Sequence, residues 1–354
     1  MTGLEALVES FDTSLTLDLC FGGVPVRVLT NAQAIRDGLE RYFAPWVEAH
    51  GDDSALTVRL VQADAPATSG FVHVARDDGR PPKEAVRDLR DGRLVLKLAT
   101  GVLMGVRTHD AFAVGNLVRH LNQGINLINN RYAKLVLGRG HLLLHASAVA
   151  REGRAVALAG VPGAGKSTTA LHLVEHGFRF VSNDRLLVRA DGDRVEALGY
   201  PKQPRVNPGT LVHHPRLFRL LDPDDRAALL ALPAADLWKL ERKRDVDLEG
   251  IYGARTFTLS ADLHALVVLT WRPDGAGLAV RKLDRSEALA CLPLIRKDLG
   301  AFDPDRRGRA AAVREVLAYS RLFDGLTVVE VSGRVDVPAL LPIVEDLLAA
   351  KHHA

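Results

Sequence analysis

The chain has 354 residues, 47% of them apolar and 25% charged, with 46 Lys plus Arg against 43 Asp plus Glu and a net charge of +3. That is the composition of a globular chain long enough for two modest domains or one large one, and it excludes the strong basic field with which a nucleic-acid binder collects phosphates. Cys20 and Cys291 cannot form a zinc knuckle or a disulfide framework; the opening residues are too acidic and polar for a secretory signal, and the strongly apolar stretch at 263–271 falls short of the roughly 20 residues a membrane span needs, so a cytoplasmic protein without nucleic-acid or membrane partners is expected.

Strands are expected at 15–19, 24–29 and 55–61, where apolar positions alternate or β-branched residues cluster. Between them, 31–46 reads as a helix opened by Asn31, with Ile35, Leu39, Tyr42 and Phe43 on one face. Strands at 71–75 and 94–99 follow, separated by a charged loop carrying Arg80-Pro81-Pro82. The stretch 111–137 reads as one long helix, with Leu117, Leu121, Ile125, Ile128 and Leu135 along a stripe and Gly138 and Gly140 ending it. A boundary is placed there, giving an N-terminal mixed α/β domain at 1–137 and a second domain at 138–354. In the second domain 141–150 reads as a strand, 151–154 as a turn, 155–159 as a buried strand, 166–176 as a helix stopped by Gly177, and 178–182 as a strand. A proline-rich loop occupies 200–208; strands are expected at 263–271, 279–283 and 326–331, and helices at 286–299, 309–320 and 337–350. The fold class is α/β, with strands and helices mixed in the α+β manner.

The chemistry concentrates after the strand at 155–159. Gly160-Val161-Pro162-Gly163-Ala164-Gly165-Lys166-Ser167, followed by Thr168, matches G-x-x-x-x-G-K-[ST] in full. Glycines let successive N–H groups turn inward onto phosphate oxygens, and the helix that follows points its positive end at the same anion. Lys166 supplies a mobile charge for the β- and γ-phosphates, and the Ser167 hydroxyl can ligate Mg²⁺. A chance glycine turn lacks the strand before and the helix after that this segment has. The expected ligands are ATP, or a related nucleoside triphosphate, and Mg²⁺.

Asp184 lies 18 residues after Lys166 at the end of an apolar strand. With one helix and one strand between them, its carboxylate is expected beside the loop, to hold Mg²⁺ or take a proton from an acceptor hydroxyl, although an Asp opening a turn is also common there. His145 sits 15 residues ahead of Gly160; alone, a His among leucines is a core residue. Glu249, in Asp247-Leu248-Glu249-Gly250, is either a second metal carboxylate or a surface acid. Lys202 and Arg205, set among prolines at 201–210, either clamp phosphate or substrate or form a charged loop. The run Arg242-Lys243-Arg244 reads as a solvated face.

The run Leu144-His145-Ala146-Ser147-Ala148, the loop through Thr168, and His176-Gly177-Phe178-Arg179-Phe180-Val181-Ser182-Asn183-Asp184-Arg185 resemble the catalytic domain of HPr kinase/phosphorylase and its relatives. The match is close over 144–185 and looser through 201–210 to Val331-Ser332-Gly333-Arg334-Val335-Asp336. The resemblance implies a fold related to phosphoenolpyruvate carboxykinase, assembly of copies through this domain into a homo-oligomer, and transfer of phosphate from ATP to a serine hydroxyl. It implies that Lys166 holds phosphates, that Ser167 ligates Mg²⁺, that His145 lies near the reacting phosphoryl group and that Glu249 assists the metal. The family carries two adjacent aspartates where this chain has Asn183-Asp184. An amide oxygen is too weak a base to take a serine proton, so Asp184 alone must serve as base or metal ligand, with Asn183 left to contact substrate or phosphate.

Two functions compete. The first is an ATP- and Mg²⁺-dependent kinase acting on a hydroxyl, of a protein serine such as that of an HPr-like carrier or of a small molecule. The second is a nucleotide-binding regulatory sensor without phosphotransfer, which Asn183 favours. A P-loop motor or assembly ATPase ranks below both, since the sequence offers no arginine finger or ATPase-type second strand motif.

Overall fold

The computed structural model describes residues 12–49, 51, 54–76, 79–107, 109–303 and 309–350; the reading of a leader concerns residues outside these. The chain divides into two compact units: residues up to Gly140 with the segment beginning at Asp298, and His141–Lys297 with the residues from Ala311 onward. Among the described residues no helix is long and apolar enough to cross a membrane.

The first unit is built on an eight-stranded sheet. Its strands are β1 (Leu15–Phe21), β2 (Val24–Thr30), β3 (Leu56–Gln62), β4 (Val72–His73), β5 (Glu84–Leu89), β6 (Gly92–Lys97), β7 (Leu103–Val106) and β8 (Asp110–Gly115), in the order β1-β2-β3-β8-β7-β6-β5-β4. Gly22 and Gly23, with φ of 55° and 79°, make the two-residue hairpin between β1 and β2, a turn whose positive φ angles suit the twist of the flanking strands. Leu17, Leu19 and Phe21 alternate with half-exposed residues and bury one face. Helix α1 (Gln33–Tyr42) makes the crossover between β2 and β3, which run parallel, and Ile35 and Leu39 carry its buried face. Helix α2 (Leu121–Gly138) brings Tyr132 to 5.5 Å from the Phe21 ring.

The expected helix at 111–137 is corrected at its first third. Asp110–Gly115 is a strand, paired parallel with β3 and antiparallel with β7. The apolar stretch from Ala111 to Gly115 fits a buried strand as well as a helix turn, and here pairing with β3 and β7 decided it. The helix at 31–46 likewise ends at Tyr42, and a 3₁₀ turn containing Pro45 follows. The segment from Asp298 lies inside the sequence span 138–354 but is held in the first unit. The fully buried Arg131 donates to Arg107 O at 2.8 Å and to Phe302 O at 2.7 Å, and Lys134 pairs with Asp303 at 2.7 Å.

In the second unit β9 (Leu142–Leu144), β10 (Ala146–Arg151), β11 (Arg154–Gly160), β12 (Arg179–Ser182), β13 (Leu186–Asp191), β14 (Arg194–Gly199), β17 (Ser260–Leu269), β18 (Ala279–Lys282) and β19 (Thr327–Ser332) form a mixed sheet; β15 (Arg205–Val206) and β16 (Arg244–Asp245) form a separate two-stranded ribbon. The sheet path is β12-β10-β11-β17-β14-β13-β9, and the far half of the long β17 pairs with β19, which carries β18 at its edge. Small and branched apolar side chains from these strands fill one core with Tyr319, Leu322 and Phe323 of helix Arg309–Asp324. The expected single strand at 141–150 is two. β9 pairs with β13, β10 pairs with β11 and β12, and His145 stands at the break between them. The expected helix at 286–299 is two short ones, Arg285–Ala290 and Leu292–Ile295, the second with Pro293 in its first turn.

Candidate functional site

The strand directions of the second unit bring the motif residues to one end of its sheet. β10 is flanked on both sides by antiparallel strands, with Ala146 opposite Ala159 of β11 and Ala148 opposite Ser182 of β12. The C-terminal ends of β11 and β12 therefore lie beside the start of β10. At that end β11 runs into the glycine loop, β12 into Asn183-Asp184, and β10 is preceded by His145.

The loop from Gly160 to Gly165 is a folded turn, not an extended chain. Gly163 and Gly165 have φ of 87° and 83°, the left-handed region that glycine enters without strain. A Cβ on Gly160 would lie 2.7 Å from Leu269 O of the parallel neighbour β17, so that position admits only glycine without displacement of a strand. Gly165 stands immediately before α3 (Lys166–Glu175), whose first N–H groups have no partner within the helix and face the loop. Trp271, just beyond the end of β17, donates its indole N–H to Ala164 O at 2.8 Å and braces the loop. Val161, Pro162 and Gly163 are exposed, Ala164 is buried and Ser167 is half-buried. Thr168 is bound hydroxyl to hydroxyl with Thr210 at 2.8 Å, which ties α3 to helix α4 (Pro208–His213).

Lys166 does not point to bulk solvent. Its ammonium is buried and donates to the carbonyls of Gly160 at 2.7 Å and Val161 at 3.2 Å, inside the curve of the loop. Burial lowers its pKa to about 8, against an upward pull from Asp184.

Asp184 is the centre of a charged cluster. His145 Nε2 stands 3.2 Å from Oδ1, Lys297 Nζ 2.5 Å from Oδ2, and Arg185 Nε 4.0 Å from Oδ2. Burial pushes this carboxyl up, but the hydrogen bond from His145 and the charge and hydrogen bond of Lys297 outweigh it and hold it well below the usual carboxylate range. Its side chain is still 55% exposed, so it remains open to an incoming molecule. Arg185 is fixed in turn. Its guanidinium donates to Tyr200 Oη at 3.3 Å and lies 5.6 Å from that ring, while the Ser182 hydroxyl accepts the Tyr200 N–H and donates to Arg185 O. Burial and the charges of Arg185 and Arg205 lower Lys202 to about 8, with Asp245 and Asp184 pulling it up.

Lys297 had no signal in the sequence. It comes 113 residues after Asp184, beyond a short helix, and only the tertiary pairing delivers it: Leu144 bridges Arg296, Lys297 N–H donates to Leu143 O at 3.0 Å, and His145 N–H donates to Ile295 O at 2.5 Å. Trp271 was equally silent, since its role depends on β17 lying beside β11. Arg205 goes elsewhere, into an ion pair with Asp245 at 3.1 Å across the β15–β16 ribbon. Asn183 lends its carbonyl oxygen to the Ser147 hydroxyl, and its side-chain oxygen is buried with no hydrogen-bond partner. Glu249, in the short helix Leu248–Tyr252, accepts the N–H of Arg255 at 3.0 Å and so holds a non-glycine residue at φ 67°.

The residues present fit a magnesium ion carried by phosphate. Ser167 and Asp184 supply one hydroxyl and one carboxylate, hard oxygen donors of the kind Mg²⁺ takes together with phosphate oxygens and water. Among the described residues no three His, Cys, Asp or Glu side chains gather into a cage that would hold a metal on its own.

No family model matches the chain, and no curated protein matches it. Among solved structures, the Hpr(Ser) kinase/phosphatase from Coxiella burnetii aligns with 58% of this chain and 93% of its own, at 11% sequence identity and a TM-score of 0.30. At that score the likeness carries neither fold nor function over to this chain.

Proposed function

We propose that the protein is an ATP- and Mg²⁺-dependent kinase that passes the γ-phosphoryl group to a hydroxyl. The observation that carries the reading is the meeting, at one end of one sheet, of a glycine-turned anion cradle with a charged carboxylate. Loop amides, the start of α3 and Lys166 hold the β- and γ-phosphates, and the Ser167 hydroxyl would hold the metal that the nucleotide carries. When bound, Mg²⁺ neutralises charge on the phosphates. The acceptor oxygen forms a bond to the γ-phosphorus as the bond to the bridging oxygen of ADP breaks. The hydroxyl proton passes to Asp184 Oδ1 or Oδ2, which His145 and Lys297 position. Transfer of this kind asks little of the base, because the transition state is loose and positioning does most of the work.

A sensor that binds nucleotide without transfer is the second reading, and two observations favour it. Asn183 cannot accept a proton, and the pairing with Lys297 makes Asp184 a weak base. One experiment separates the readings. Protein is incubated with Mg²⁺ and γ-labelled ATP in the presence of cell extract, and transfer is compared with that of Asp184→Asn. Label transferred above the variant supports the kinase, whereas tight nucleotide binding without transfer supports the sensor. A folded protein that does not bind MgATP sinks both.

A further inference from the structure

A cavity of about 280 Å³ opens at the far end of α3 from the glycine loop, with Glu175, Phe178, Arg179, Arg216, Tyr252 and Arg255 in its lining. Because α3 runs ten residues, about 15 Å of helix separates this cavity from Lys166. Its charges do not cancel. Arg216 Nε is paired at 2.9 Å with Oε1 of Glu175, the one carboxylate in the lining. Arg179 gives Nε to Arg255 O at 2.9 Å and Nη2 to Phe257 O at 2.6 Å, which fixes the guanidinium and leaves its charge in place. Arg255 has a left-handed backbone, φ 67°, held from both sides: Glu249 Oε1 accepts its N–H at 3.0 Å, and Arg179 binds its carbonyl. Glycine adopts that conformation without strain, and strain kept on a larger residue gathers where the side chain meets a ligand. Among the described residues the Arg255 guanidinium makes no ion pair and no hydrogen bond. Even with Glu249 counted, three guanidinium groups stand against two carboxylates. At the end of α3 the carbonyls of Leu173, Val174 and His176 are already taken, by the N–H groups of Phe178 and Gly177 and by Arg151 Nη2. This weakens the repulsion that a helix C-terminus offers an anion.

We propose that this cavity is a ligand site separate from the glycine loop, which takes a small organic anion. Arg255 and Arg179 hold its carboxylate or phosphate group, and its carbon skeleton lies against Phe178 and Tyr252. At about 280 Å³ the space falls just below the roughly 300 Å³ at which pockets for drug-sized ligands begin, a size that suits a small metabolite. Guanidinium groups set by backbone bonds are prepared for such an anion, since little freedom is lost when it binds. The site stands whether the loop transfers phosphate or only binds nucleotide.

The test uses the full chain saturated with the magnesium complex of a non-hydrolysable ATP analogue, so that the loop is filled. Phenyl phosphate and benzoate are then titrated by calorimetry as probes of the two anion chemistries. One equivalent of at least one probe is expected to bind, and Arg255→Gln is expected to weaken it about tenfold. Arg255→Gly removes the same cation while relieving the backbone. Its melting temperature is expected to match or exceed that of the wild type while probe affinity falls as in Arg255→Gln, and it stands in if the glutamine variant does not fold. Benzamide, which has the shape of benzoate without the charge, is expected not to bind. Binding of neither anion, equal binding by wild type and both variants, or binding of benzamide as tight as that of benzoate overturns the proposal. So does binding that vanishes once the analogue fills the loop. If the folded protein does not bind the analogue, the nucleotide reading fails by itself, and the same titrations on the unliganded chain decide the cavity by the same variants.

Discussion

The two units handle charge in opposite ways. In the first, the charges are spread over separate pairs: Arg27 with Asp18, Lys97 with Glu84, Arg107 with Asp110 and Lys134 with Asp303, while the buried Arg131 donates to two carbonyl oxygens. At the sheet end of the second, several charged groups gather on one carboxylate: Lys297 and Arg185 approach Asp184 Oδ2 and His145 approaches Oδ1. Separate pairs serve folding, since a buried charge without a partner destabilises its own structure. A cluster of titratable groups beside an anion cradle serves chemistry.

The comparison breaks most readily at Asp184. Replacing it with Asn keeps the shape and removes the anion; transfer is expected to fall by about 10²–10⁴-fold, and the melting temperature is expected to fall too, because Lys297 and His145 lose the charge they face; full activity in this variant would remove Asp184 from the chemistry. Arg131→Met attacks the neutral unit instead. It strands the carbonyls of Arg107 and Phe302, and a loss of about 3 kcal/mol is expected in denaturant unfolding. In the second unit Gly199→Ala places a methyl 2.0 Å from Val181 O, and overpacking of about 1–3 kcal/mol should appear in the same assay. Trp271→Phe removes the bond to Ala164 O together with part of the buried ring that packs beside the loop, so nucleotide affinity should drop by at least about 1 kcal/mol with transfer per bound nucleotide unchanged.

Dependence on pH sharpens the contrast further. The folded-state pKa of Lys166 is lowered to about 8 from 10.5. Between these values the unfolded chain binds the extra proton, so this group's contribution to stability rises with pH and is least favourable below about 8. A bound triphosphate favours the charged ammonium and reverses the preference. Nucleotide affinity is therefore expected to be greatest below pH 8 and to fall as pH climbs through it, by at most about tenfold per unit for this one proton. A fluorescent-nucleotide titration across that range gives the slope, and a flat profile would show that Lys166 carries no charge to the phosphates.

Legibility in the sequence followed the range of the forces involved. The glycine loop, its flanking strand and helix, and the position of Asp184 just past the next strand are local consequences of short spacing, and all could be read. The strand at Asp110–Gly115 could not, because a short apolar stretch becomes a strand or a helix according to which edges are open beside it. Lys297 and Arg205 show the same limit in charge. Lys297 lies in a loop and Arg205 in the two-residue strand β15, yet one bridges to Asp184 and the other to Asp245, and only the pairing of distant segments decides which.

The break in the strand at His145 has a consequence for how the protein can change. Side chains on a strand alternate from face to face, so inserting or deleting a single residue between Leu142 and Ser147 would turn over every position on one side of the break. The interruption lets β9 and β10 keep separate partners while a histidine, bonded through its backbone to Ile295, faces the carboxylate. Beyond the packing that constrains each buried side chain here, a change of length would carry this further cost, so the spacing from Leu144 to Ser147 is fixed by register as well as by volume.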